Sequence, residues 1–550
     1  MAGLKFIALS GTTDVTENLY VYEYGNDMII VDCGIGFPEA EMYGVDLVIP
    51  DFSYIVKNKH KLRGILISHG HEDHLGALPF LLKDVQAPIY ATKLVAGFIQ
   101  DKFSDHKMKG VKINVIDPDK DTLSLGVFKI QMFRVSHSVP DGVGFAIDTP
   151  EGSIFHVADY KFDWTPVDGK PFDIARAATL ASSGVLAVAS DCLGATTPGY
   201  TQSEKEIETQ VGQIARDVKG QIFFTTISSN ISRMQQAINV AKMLNRKVVF
   251  VGRSTEAKAQ IAKDLGYLHA PENLVVPFKK AGKISKQKIM YIISGSYGQP
   301  GSALYRVANA EHDFLSIGEG DAVIFSSDPA PPGSKANVDG VVDRLIEIGV
   351  DVHYYEMQED LHVSGHGCRE DIKMLFALLK PKYYIPIGGT IRHMREYKNI
   401  AISMGAASEA TFELMPGDII EFNNARGVRA GKIDVKSVLV DGLGVGDVGN
   451  VVLRDRKKLA RDGVAIVLLQ LDRLGNKLIA SPEVISRGFV FEKQEKDFLA
   501  ESANLLVREL EKKERLDRHV VRRITIDFLE KYFFRQTGRR PMILPVVVEA

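Results

Sequence analysis

The chain has 550 residues, 45% of them apolar and 25% charged, and a formal net charge of −2 at pH 7. This length and composition predict about three or four globular domains with complete hydrophobic cores. The three cysteines form no Cys-x-x-Cys pair, which indicates a reducing compartment. Neither a signal-peptide layout nor an apolar run approaching the ~18 residues of a membrane span is present. We therefore expect a cytoplasmic protein, and its balanced net charge is compatible with a local basic groove for nucleic acid.

Residues 1–200 contain short runs of strand character separated by Gly, Pro and Asp turns, with a helical pattern near Leu94–Phe103. Three predicted strands end in a metal ligand or in a carboxylate that could support one. These are Met28–Val31, which ends in Asp32, Val127–Val135, which leads to His137, and Ser153–Ala158, which ends in Asp159. Each residue alone is better explained as a turn cap or a surface polar group, so its significance depends on the other candidates.

The most informative segment is His69-Gly70-His71-Glu72-Asp73-His74, which follows the apolar run 64–68. Imidazole and carboxylate are ligands of Zn²⁺ and Mn²⁺, and two clustered metals can hold both the attacking and the leaving oxygen of a hydrolysis. The spacing allows His69 and His71 to serve one metal while Asp73 and His74 serve a second. The alternative is a solvated polar loop after a buried strand, but His-rich clusters such as this one indicate metal binding.

From Ser203 onward, helices and strands alternate as they do around a parallel sheet. Ser203 and Glu206 have the spacing of a capping box, which predicts a helix over 203–217. Further strands are predicted over 221–226, 247–251, 288–293 and 322–326, and further helices over 231–244, 254–265, 302–310 and 337–348. After a Gly-rich passage near 430–450, strands over 464–471 and 483–491 are followed by helices over 494–513 and 516–532.

Two segments offer groups that bind phosphate. His362-Val363-Ser364-Gly365-His366 provides a hydroxyl group, a flexible Gly and two imidazoles, which can hold a phosphate or donate a proton to a leaving oxygen. A polar loop before a helix explains that segment equally well. The segment 228–233 is predicted to begin a helix, where N–H groups and the Arg233 guanidinium would bind a terminal phosphate. Taken alone, an ordinary helix start is the favoured interpretation.

In chain order, Asp32, the 69–74 cluster, His137 and Asp159 resemble the motif series of the metallo-β-lactamase superfamily. The resemblance implies an α/β fold, the αββα sandwich. It also implies that His69, His71 and His137 bind a first metal, that Asp73 and His74 bind a second, and that Asp159 bridges them. Asp32 would orient the cluster from behind the ligands, a role on which metal sites depend.

An α/β block inside a metal-binding domain is the layout of the β-CASP branch, and motifs over nearly the whole chain resemble bacterial ribonuclease J. They lie at 198–204, 228–233, 251–254, 294–300 and 362–366, and towards the C-terminus at 440–447, 453–456, 485–490 and 537–545. The resemblance divides the chain into a metallo-β-lactamase domain in two parts (1–202 and 356–435), a β-CASP domain (203–355), a linker (436–455) and a small α+β C-terminal domain (456–550).

The resemblance further implies metal-assisted hydrolysis of RNA phosphodiesters with two divalent metals, Zn²⁺ first and Mn²⁺ or Mg²⁺ as alternatives. It implies 5′-to-3′ exonuclease action on 5′-monophosphate ends together with endonuclease cuts, in RNA decay and rRNA maturation, by a homodimer or homotetramer. Asp73, His366 and Asp191 are the expected catalytic residues, with Asp191 holding His366 in position. The expected RNA contacts are Ser229, Asn230, Arg233, His362, Val363, Ser364, Gly365 and His366.

The chain departs from that family at two places. Gly388 stands where ribonuclease J usually has a His that completes the ligands of the second metal, so this metal is expected to bind weakly. His393 is no obvious replacement, because the family has a His there too. The loop Ser10–Asn18 replaces a more Gly-rich loop, which changes the expected shape of the entrance.

Two rival functions follow from these considerations. If Gly388 has silenced hydrolysis, the chain is a metal-depleted RNA-binding or scaffolding protein, although the six other ligands are retained. A small-molecule hydrolase of the same superfamily, such as a lactonase or thioesterase, is the second rival. The β-CASP block and its phosphate-binding motifs argue against it.

Overall fold

A computed structural model of the chain describes residues 3–39, 41–327, 334–355, 361–442, 444–472, 477–489, 495–513 and 516–549. Three predicted positions fall at least partly on residues outside these ranges. They are the domain boundary at 355–356, the end of the predicted strand at 490–491 and the start of the predicted helix at 494. The chain forms two compact units, one of Met1–Phe37 with Leu47–Val438, the other of Pro38–Asp46 with Leu439–Ala550.

The first unit contains an outer segment, an insertion and a returning segment. The outer segment comprises β1 (Leu4–Ser10), β2 (Leu19–Tyr24), β3 (Asp27–Val31), β4 (Leu47–Ile49), α1 (Ser53–Lys57), β5 (Leu62–Leu66), α2 (Glu72–Leu75), α3 (Leu78–Leu81), β6 (Ile89–Ala91), α4 (Lys93–Asp105), β7 (Ile113–Val115), β8 (Thr122–Leu125), β9 (Phe128–Arg134), β10 (Val143–Thr149), β11 (Gly152–Val157), α5 (Ile174–Ala181) and β12 (Ala187–Asp191). The insertion comprises α6 (Lys205–Asp217), β13 (Ile222–Thr225), α7 (Ile231–Met243), β14 (Lys247–Val251), α8 (Arg253–Asp264), α9 (Phe278–Ala281), β15 (Ile289–Ile293), α10 (Ala303–Ala308), β16 (Ala322–Phe325), α11 (Lys335–Glu347) and β17 (Asp351–His353). The returning segment comprises α12 (Arg369–Leu379), β18 (Tyr383–Ile387), α13 (Ile391–Ser403), β19 (Asp418–Asn423) and β20 (Arg426–Lys432).

Two sheets pack face to face in the part formed by the outer and returning segments. One has eight strands in the order β20-β19-β1-β2-β3-β5-β6-β7, and the other has six in the order β18-β12-β11-β10-β9-β8. Because strand side chains alternate between faces, Phe6 and Phe145 meet between the sheets, whereas Phe133 and Phe155 point outward against α5, α12 and α13. Helix α4 covers β6 and β7 of the larger sheet. The layers are therefore αββα, as predicted.

The insertion is a separate α/β layer around a parallel five-stranded sheet, ordered β14-β15-β13-β16-β17. The predicted capping box at the start of α6 is wrong. Glu204 is the N-cap residue and adopts helical dihedrals (φ −54°, ψ −29°) without a side-chain cap. Its carboxylate is buried in ion pairs with Lys161 and Arg233, and Ser203 Oγ accepts the backbone N–H of Lys205 at 3.3 Å.

The second unit has its own core. It contains β21 (Val438–Asp441), β22 (Gly444–Val445), α14 (Asn450–Asp462), β23 (Val464–Leu471), β24 (Glu483–Arg487), α15 (Glu495–Leu510), α16 (Arg518–Thr537) and β25 (Met542–Glu549). Strand β23 lies between an antiparallel β24 and a parallel β25. Helices α15 and α16 cover one face of this sheet through Leu506 and Leu529. On β25, Leu544, Val546 and Val548 are each more than two-fifths exposed.

None of the helices among the described residues is long and apolar enough to cross a membrane. The three cysteines, Cys33, Cys192 and Cys368, are buried and unbridged.

Glu17 in the loop between β1 and β2 is a buried acid. Ser437 Oγ donates a hydrogen bond to its Oε2 at 3.0 Å, and the residue is 8% exposed. Burial, only partly opposed by that hydrogen bond, raises the pKa of Glu17 from 4.5 to about 7. Since the carboxyl group is harder to ionise in the folded than in the unfolded chain, the fold loses stability as the pH rises from about 4.5 to about 7.

We predict that Glu17→Gln raises the melting temperature at pH 8 and changes it much less at pH 5, because the amide removes the cost of ionisation while retaining the shape. Because the pKa rises from 4.5 to about 7, ionisation of Glu17 costs the fold at most about 3 kcal/mol. Thermal unfolding at both pH values measures this gain, with the exposed Glu409→Gln as the matched control. A loss of stability at pH 8 would contradict the prediction.

Candidate metal centre and phosphate-binding edge

Three residues of the centre lie at the ends of adjacent parallel strands. Strand β12 lies between β11 and β18, with Val157 opposite Ser190 and Asp191 opposite Ile387. Parallel strands present their carboxyl ends at one edge of a sheet. The residues that end or follow these three strands therefore lie side by side. They are Asp159, Asp191 and Gly388.

The first donor cluster is formed by three imidazole nitrogens and one carboxylate oxygen. His71 Nδ1 lies 3.1 Å from His69 Nε2 and 3.1 Å from His137 Nε2. Asp159 Oδ2 lies 3.5 Å from His69 Nε2 and 3.6 Å from His137 Nε2. Four donor atoms of the types that bind a divalent metal thus surround one point.

The second donor cluster shares its carboxylate with the first. His74 Nε2 lies 3.4 Å from Asp73 Oδ2 and 3.4 Å from Asp159 Oδ2. These three residues form the second group able to hold a metal. Asp159 thus contributes to both clusters.

The donor atoms have the spacing that a metal requires. Ligand atoms at 2.0–2.1 Å from a tetrahedral Zn²⁺ are about 3.3 Å apart, close to the 3.1–3.6 Å separations found here. Burial lowers the pKa of His69 and His137 well below 6.5, so both imidazoles are neutral at pH 7 and have a lone pair to offer. The residues therefore fit a pair of divalent metals.

Asp32 supports two of the histidines at the Nδ1 side of their rings, His74 directly and His69 through Ser68. Its Oδ2 accepts hydrogen bonds from His74 Nδ1 and Ser68 Oγ, both at 2.8 Å. Ser68 Oγ in turn lies 3.0 Å from His69 Nδ1. Asp32 is fully buried and has φ +62°, a strained conformation for a residue with a side chain. These bonds direct the Nε2 atoms of both histidines towards the donor clusters.

The loop Ser10–Asn18 contacts the metal motif 69–74, so its role is not limited to shaping the entrance of the site. Asn18 Nδ2 donates to the Asp73 carbonyl at 3.2 Å and lies 3.2 Å from His74 Nε2. Gly11 accepts a hydrogen bond from the backbone N–H of Gly388 at 2.8 Å.

The segment 362–366 lies against the first donor cluster. His137 Nδ1 donates to the Gly365 carbonyl at 2.7 Å. A Cβ at Gly365 would lie 2.6 Å from His137 Cε1, so only glycine allows this approach. Ser364 Oγ accepts a hydrogen bond from the backbone N–H of His366, and Val363 is buried.

The buried Asp191 and the partly exposed His366 form a pair beside Asp159. His366 Nδ1 donates to Asp191 Oδ2 at 2.7 Å, and Asp191 Oδ1 accepts from the backbone N–H of Leu193 at 2.8 Å. The His366 ring lies 5.1 Å from the His137 ring. Because Asp191 holds Nδ1, Nε2 is the nitrogen that can exchange a proton with a substrate.

Gly388 leaves space next to the second cluster. A Cβ placed on it would lie 3.6 Å from Asp191 Oδ1 and 3.9 Å from Asp159 Oδ1. Neither His393 nor Glu72 of the metal motif fills this space. His393 Nδ1 accepts the backbone N–H of Thr390 at the start of α13. The carboxylate of Glu72 instead contacts the ammonium groups of Lys102 and Lys258.

The predicted phosphate-binding residues lie at the carboxyl edge of the inserted sheet, where α7 begins. Asn230 Oδ1 caps this helix by accepting the backbone N–H of Arg233 at 2.9 Å, so that part of its side chain is occupied. Ser229 is 3% exposed, and Ser228 Oγ is hydrogen-bonded to Ser254 Oγ at 2.8 Å.

Arg233 is buried rather than displayed on the surface. Its Nη2 lies 2.7 Å from Glu204 Oε2. Its Nε and Nη1 have no hydrogen-bond partner among the described residues. Lys161 Nζ completes the group by donating to Glu204 Oε1 and to the Ser364 carbonyl, both at 3.1 Å.

Sequence reasoning missed Lys161 and Glu204 as neighbours of the site. Glu204 ends the 198–204 motif, and Lys161 follows Asp159 by two residues. Charge and spacing alone predict exposed residues at these positions, and only their burial reveals a role.

A cavity of about 400 Å³ lies between the insertion and the outer segment, next to α7. Its lining includes Lys93, Lys170, Ser232, Tyr267 and His269. Lys170 Nζ lies 5.9 Å from the centre of the Tyr267 ring. Cations and an aromatic ring are the groups that hold single-stranded nucleic acid.

Comparisons with known proteins match all three parts of the chain. Family models match residues 28–177 ("Beta-lactamase superfamily domain"), 219–345 ("Ribonuclease J, beta-CASP domain") and 451–550 ("Ribonuclease J C-terminal domain"). Ribonuclease J2 of Bacillus subtilis is 35% identical over 551 residues, which cover 99% of this chain and 98% of that protein. Ribonuclease J 2 of Staphylococcus aureus (strain MRSA252) is 35% identical over 554 residues, with the same coverage.

A solved structure has a similar fold. The crystal structure of a protein of unknown function from Enterococcus faecalis V583 superposes with a TM-score of 0.53. It covers 76% of this chain and 100% of its own, at 14% sequence identity.

Proposed function

Because this chain belongs to the ribonuclease J family of hydrolytic ribonucleases, we propose that it cleaves RNA phosphodiesters by 5′-to-3′ exonuclease action and by endonuclease cuts. The proposed setting is RNA decay and rRNA maturation in the cytoplasm. The observation that supports catalysis most directly is the pair of donor clusters that share Asp159. The same matches confirm the predicted architecture of a metallo-β-lactamase domain, an inserted β-CASP domain and a C-terminal domain.

The fold uses divalent metals, and we propose Zn²⁺ first, with Mn²⁺ or Mg²⁺ as alternatives. The first metal would be held by His69, His71 and His137, the second by Asp73 and His74, and Asp159 would bridge them. Such metals supply a strongly nucleophilic water at neutral pH and neutralise charge that develops on the phosphate.

The chain's own residues orient the substrate and move the proton. Asp191 keeps His366 in one orientation through the 2.7 Å bond to Nδ1. We propose that His366 Nε2 donates a proton to the leaving oxygen. The segment 362–366 and the start of α7, including Ser229, would hold the phosphates through hydroxyl and N–H groups.

The remaining proposals concern the RNA end and the assembly. The two unpartnered N–H positions of Arg233 support a contact with a 5′-terminal phosphate. The apolar face of β25 in the second unit, with Leu544, Val546 and Val548 exposed, supports a homodimer or homotetramer formed through the C-terminal domain.

A second function is favoured by the missing side chain at Gly388. Without a third protein ligand of its own, the second cluster would hold metal weakly, and the chain would then act as an RNA-binding or scaffolding protein with little hydrolysis. Activity on a 5′-phosphorylated RNA oligonucleotide with added Mn²⁺ or Zn²⁺ distinguishes the two functions. Binding without cleavage under both conditions would support the second.

The first prediction is that His71→Ala or Asp159→Ala abolishes cleavage of that oligonucleotide and leaves the fold intact, because both residues face the donor clusters rather than the apolar core. The measurement is a nuclease assay together with circular dichroism. The exposed His60→Ala serves as the control and should retain activity. A folded Asp159→Ala variant with wild-type turnover would refute the proposed site.

The second prediction concerns the 5′ end. Arg233→Lys keeps a cation opposite Glu204 but loses the planar N–H groups, so the preference for 5′-phosphate over 5′-hydroxyl RNA should fall. A charge-assisted contact of about 1.5–3 kcal/mol corresponds to roughly 10- to 150-fold in kcat/KM. Arg306→Lys, whose side chain pairs with Asp313 on the surface, is the control. Equal rates on both RNAs with the wild-type enzyme would remove this assignment.

The third prediction concerns metal content. Dialysed protein should retain fewer than two metals per chain, and its activity should rise steeply with added Mn²⁺. Gly388 has φ +66°, so any side chain there is strained. Gly388→Ala shares that strain without adding a ligand, and Gly388→His should therefore bind the second Mn²⁺ more tightly than Gly388→Ala. Two metals retained by wild type against a mild chelator would contradict the weak second site.

A further inference from the structure

The inserted domain contacts the metal-binding domain through two helices that approach closely. Helix α4 of the metal-binding domain crosses α8 of the insertion at Gly97. A Cβ at Gly97 would lie 2.8 Å from Ile261 Cγ2 and 3.0 Å from Leu265 Cδ1. The absence of a side chain at this position therefore lets the two helices pack directly.

A buried lysine extends from this contact into the metal motif. Lys258 on α8 is 4% exposed, and its Nζ lies 4.6 Å from the centre of the Phe98 ring on α4. The same Nζ lies 3.3 Å from Glu72 Oε1. A buried ammonium group is costly unless it is paired, so the carboxylate of Glu72 and the face of Phe98 together hold it there.

Glu72 is the residue of the 69–74 motif that the metal clusters leave unused. Its second oxygen, Oε2, lies 2.6 Å from Lys102 Nζ on α4. Glu72 therefore pairs with one lysine of its own domain and one lysine of the insertion.

The position of Glu72 connects this ion pair to the second donor cluster. Glu72 begins the short helix α2, and the next two residues are Asp73 and His74. Helix α8, which carries Lys258, begins at the phosphate-binding edge. Its second residue, Ser254, is hydrogen-bonded to Ser228 at that edge. A continuous set of contacts thus joins the expected RNA-binding edge to the second metal's ligands.

We propose that Lys258 is a positioning residue that couples RNA bound by the inserted domain to the affinity of the second metal site. It would do so by holding Glu72, and with it α2, in the orientation in which Asp73 and His74 face the metal. The inference rests on the proposed metal and RNA sites. Coupling between two sites is reciprocal, so RNA should tighten metal binding and the metal should tighten RNA binding to the same extent.

The experiment is an Mn²⁺ titration of metal-free full-length protein, followed by the EPR signal of free Mn²⁺. It is run with and without a 5′-phosphorylated, phosphorothioate-linked RNA oligonucleotide, whose integrity is checked on a gel. Loss of a residue that supports a metal ligand typically costs about 10- to 100-fold in affinity. Lys258→Met should weaken the second Mn²⁺ site by roughly tenfold, leave the first site unchanged and abolish the tightening by RNA.

Three variants make the result specific. Lys258→Arg should restore most of the affinity and the coupling, because it returns a cation to Glu72. Glu72→Gln breaks the same contact from the other side and should match Lys258→Met, which keeps the test valid if one variant fails to fold. Lys102→Met is the matched control, since it removes the bond to the same carboxylate within one domain and should retain the coupling to RNA.

The outcomes separate this inference from the proposed function. Wild-type protein that binds no Mn²⁺ would overturn the proposed metal site. If wild type binds two Mn²⁺ and responds to RNA while Lys258→Met and Glu72→Gln behave identically to it, only the inference is overturned. Loss of coupling in Lys102→Met as well would also overturn it, because the effect would then come from local charge around Glu72.

Discussion

The candidate site depends on one buried carboxylate oxygen. Asp159 Oδ2 lies within 3.4–3.6 Å of His69, His74 and His137, and an anion in such a place must be compensated by a metal or by protonated imidazoles. The carboxylates of Asp159, Asp73 and Asp32 oppose the effect of burial and raise the pKa of His74 well above 6.5. The same attraction favours a cation between these atoms.

Ion pairs also join the inserted domain to the metal-binding domain. The buried Glu204 lies between Lys161 and Arg233, and the buried Lys258 pairs with the partly exposed Glu72. Removing one partner of a fully buried pair, such as that of Lys161 with Glu204, typically costs about 3–5 kcal/mol because the other charge is left uncompensated. Ion pairs of this kind resist separation of the two domains, and they require stricter geometry than an apolar contact does. This geometric demand makes them suitable for transmitting the position of one domain to the other.

Gly388 is the position at which the sequence predicts a departure from the family's metal ligands. It follows β18 at the same sheet edge as Asp159 and Asp191, and its backbone N–H is bonded to Gly11. Its positive φ suits glycine, so the backbone there has a conformation that a His would have to adopt under strain. The loop 10–18, the second predicted departure, contacts both Gly388 and His74. The two predicted departures are therefore neighbours in space.

Local sequence patterns predicted many of the helices and strands and singled out the His/Asp cluster at 69–74, whereas the family resemblance implied the fold class. The predicted capping box at Ser203 is wrong, because Glu204 is the N-cap residue and its carboxylate is held in a buried ion pair with Arg233. Only the tertiary structure decided which charges are buried. Lys161 and Lys258 look like surface residues in the sequence, and their partners lie 43 and 186 positions away, a separation that no local pattern encodes.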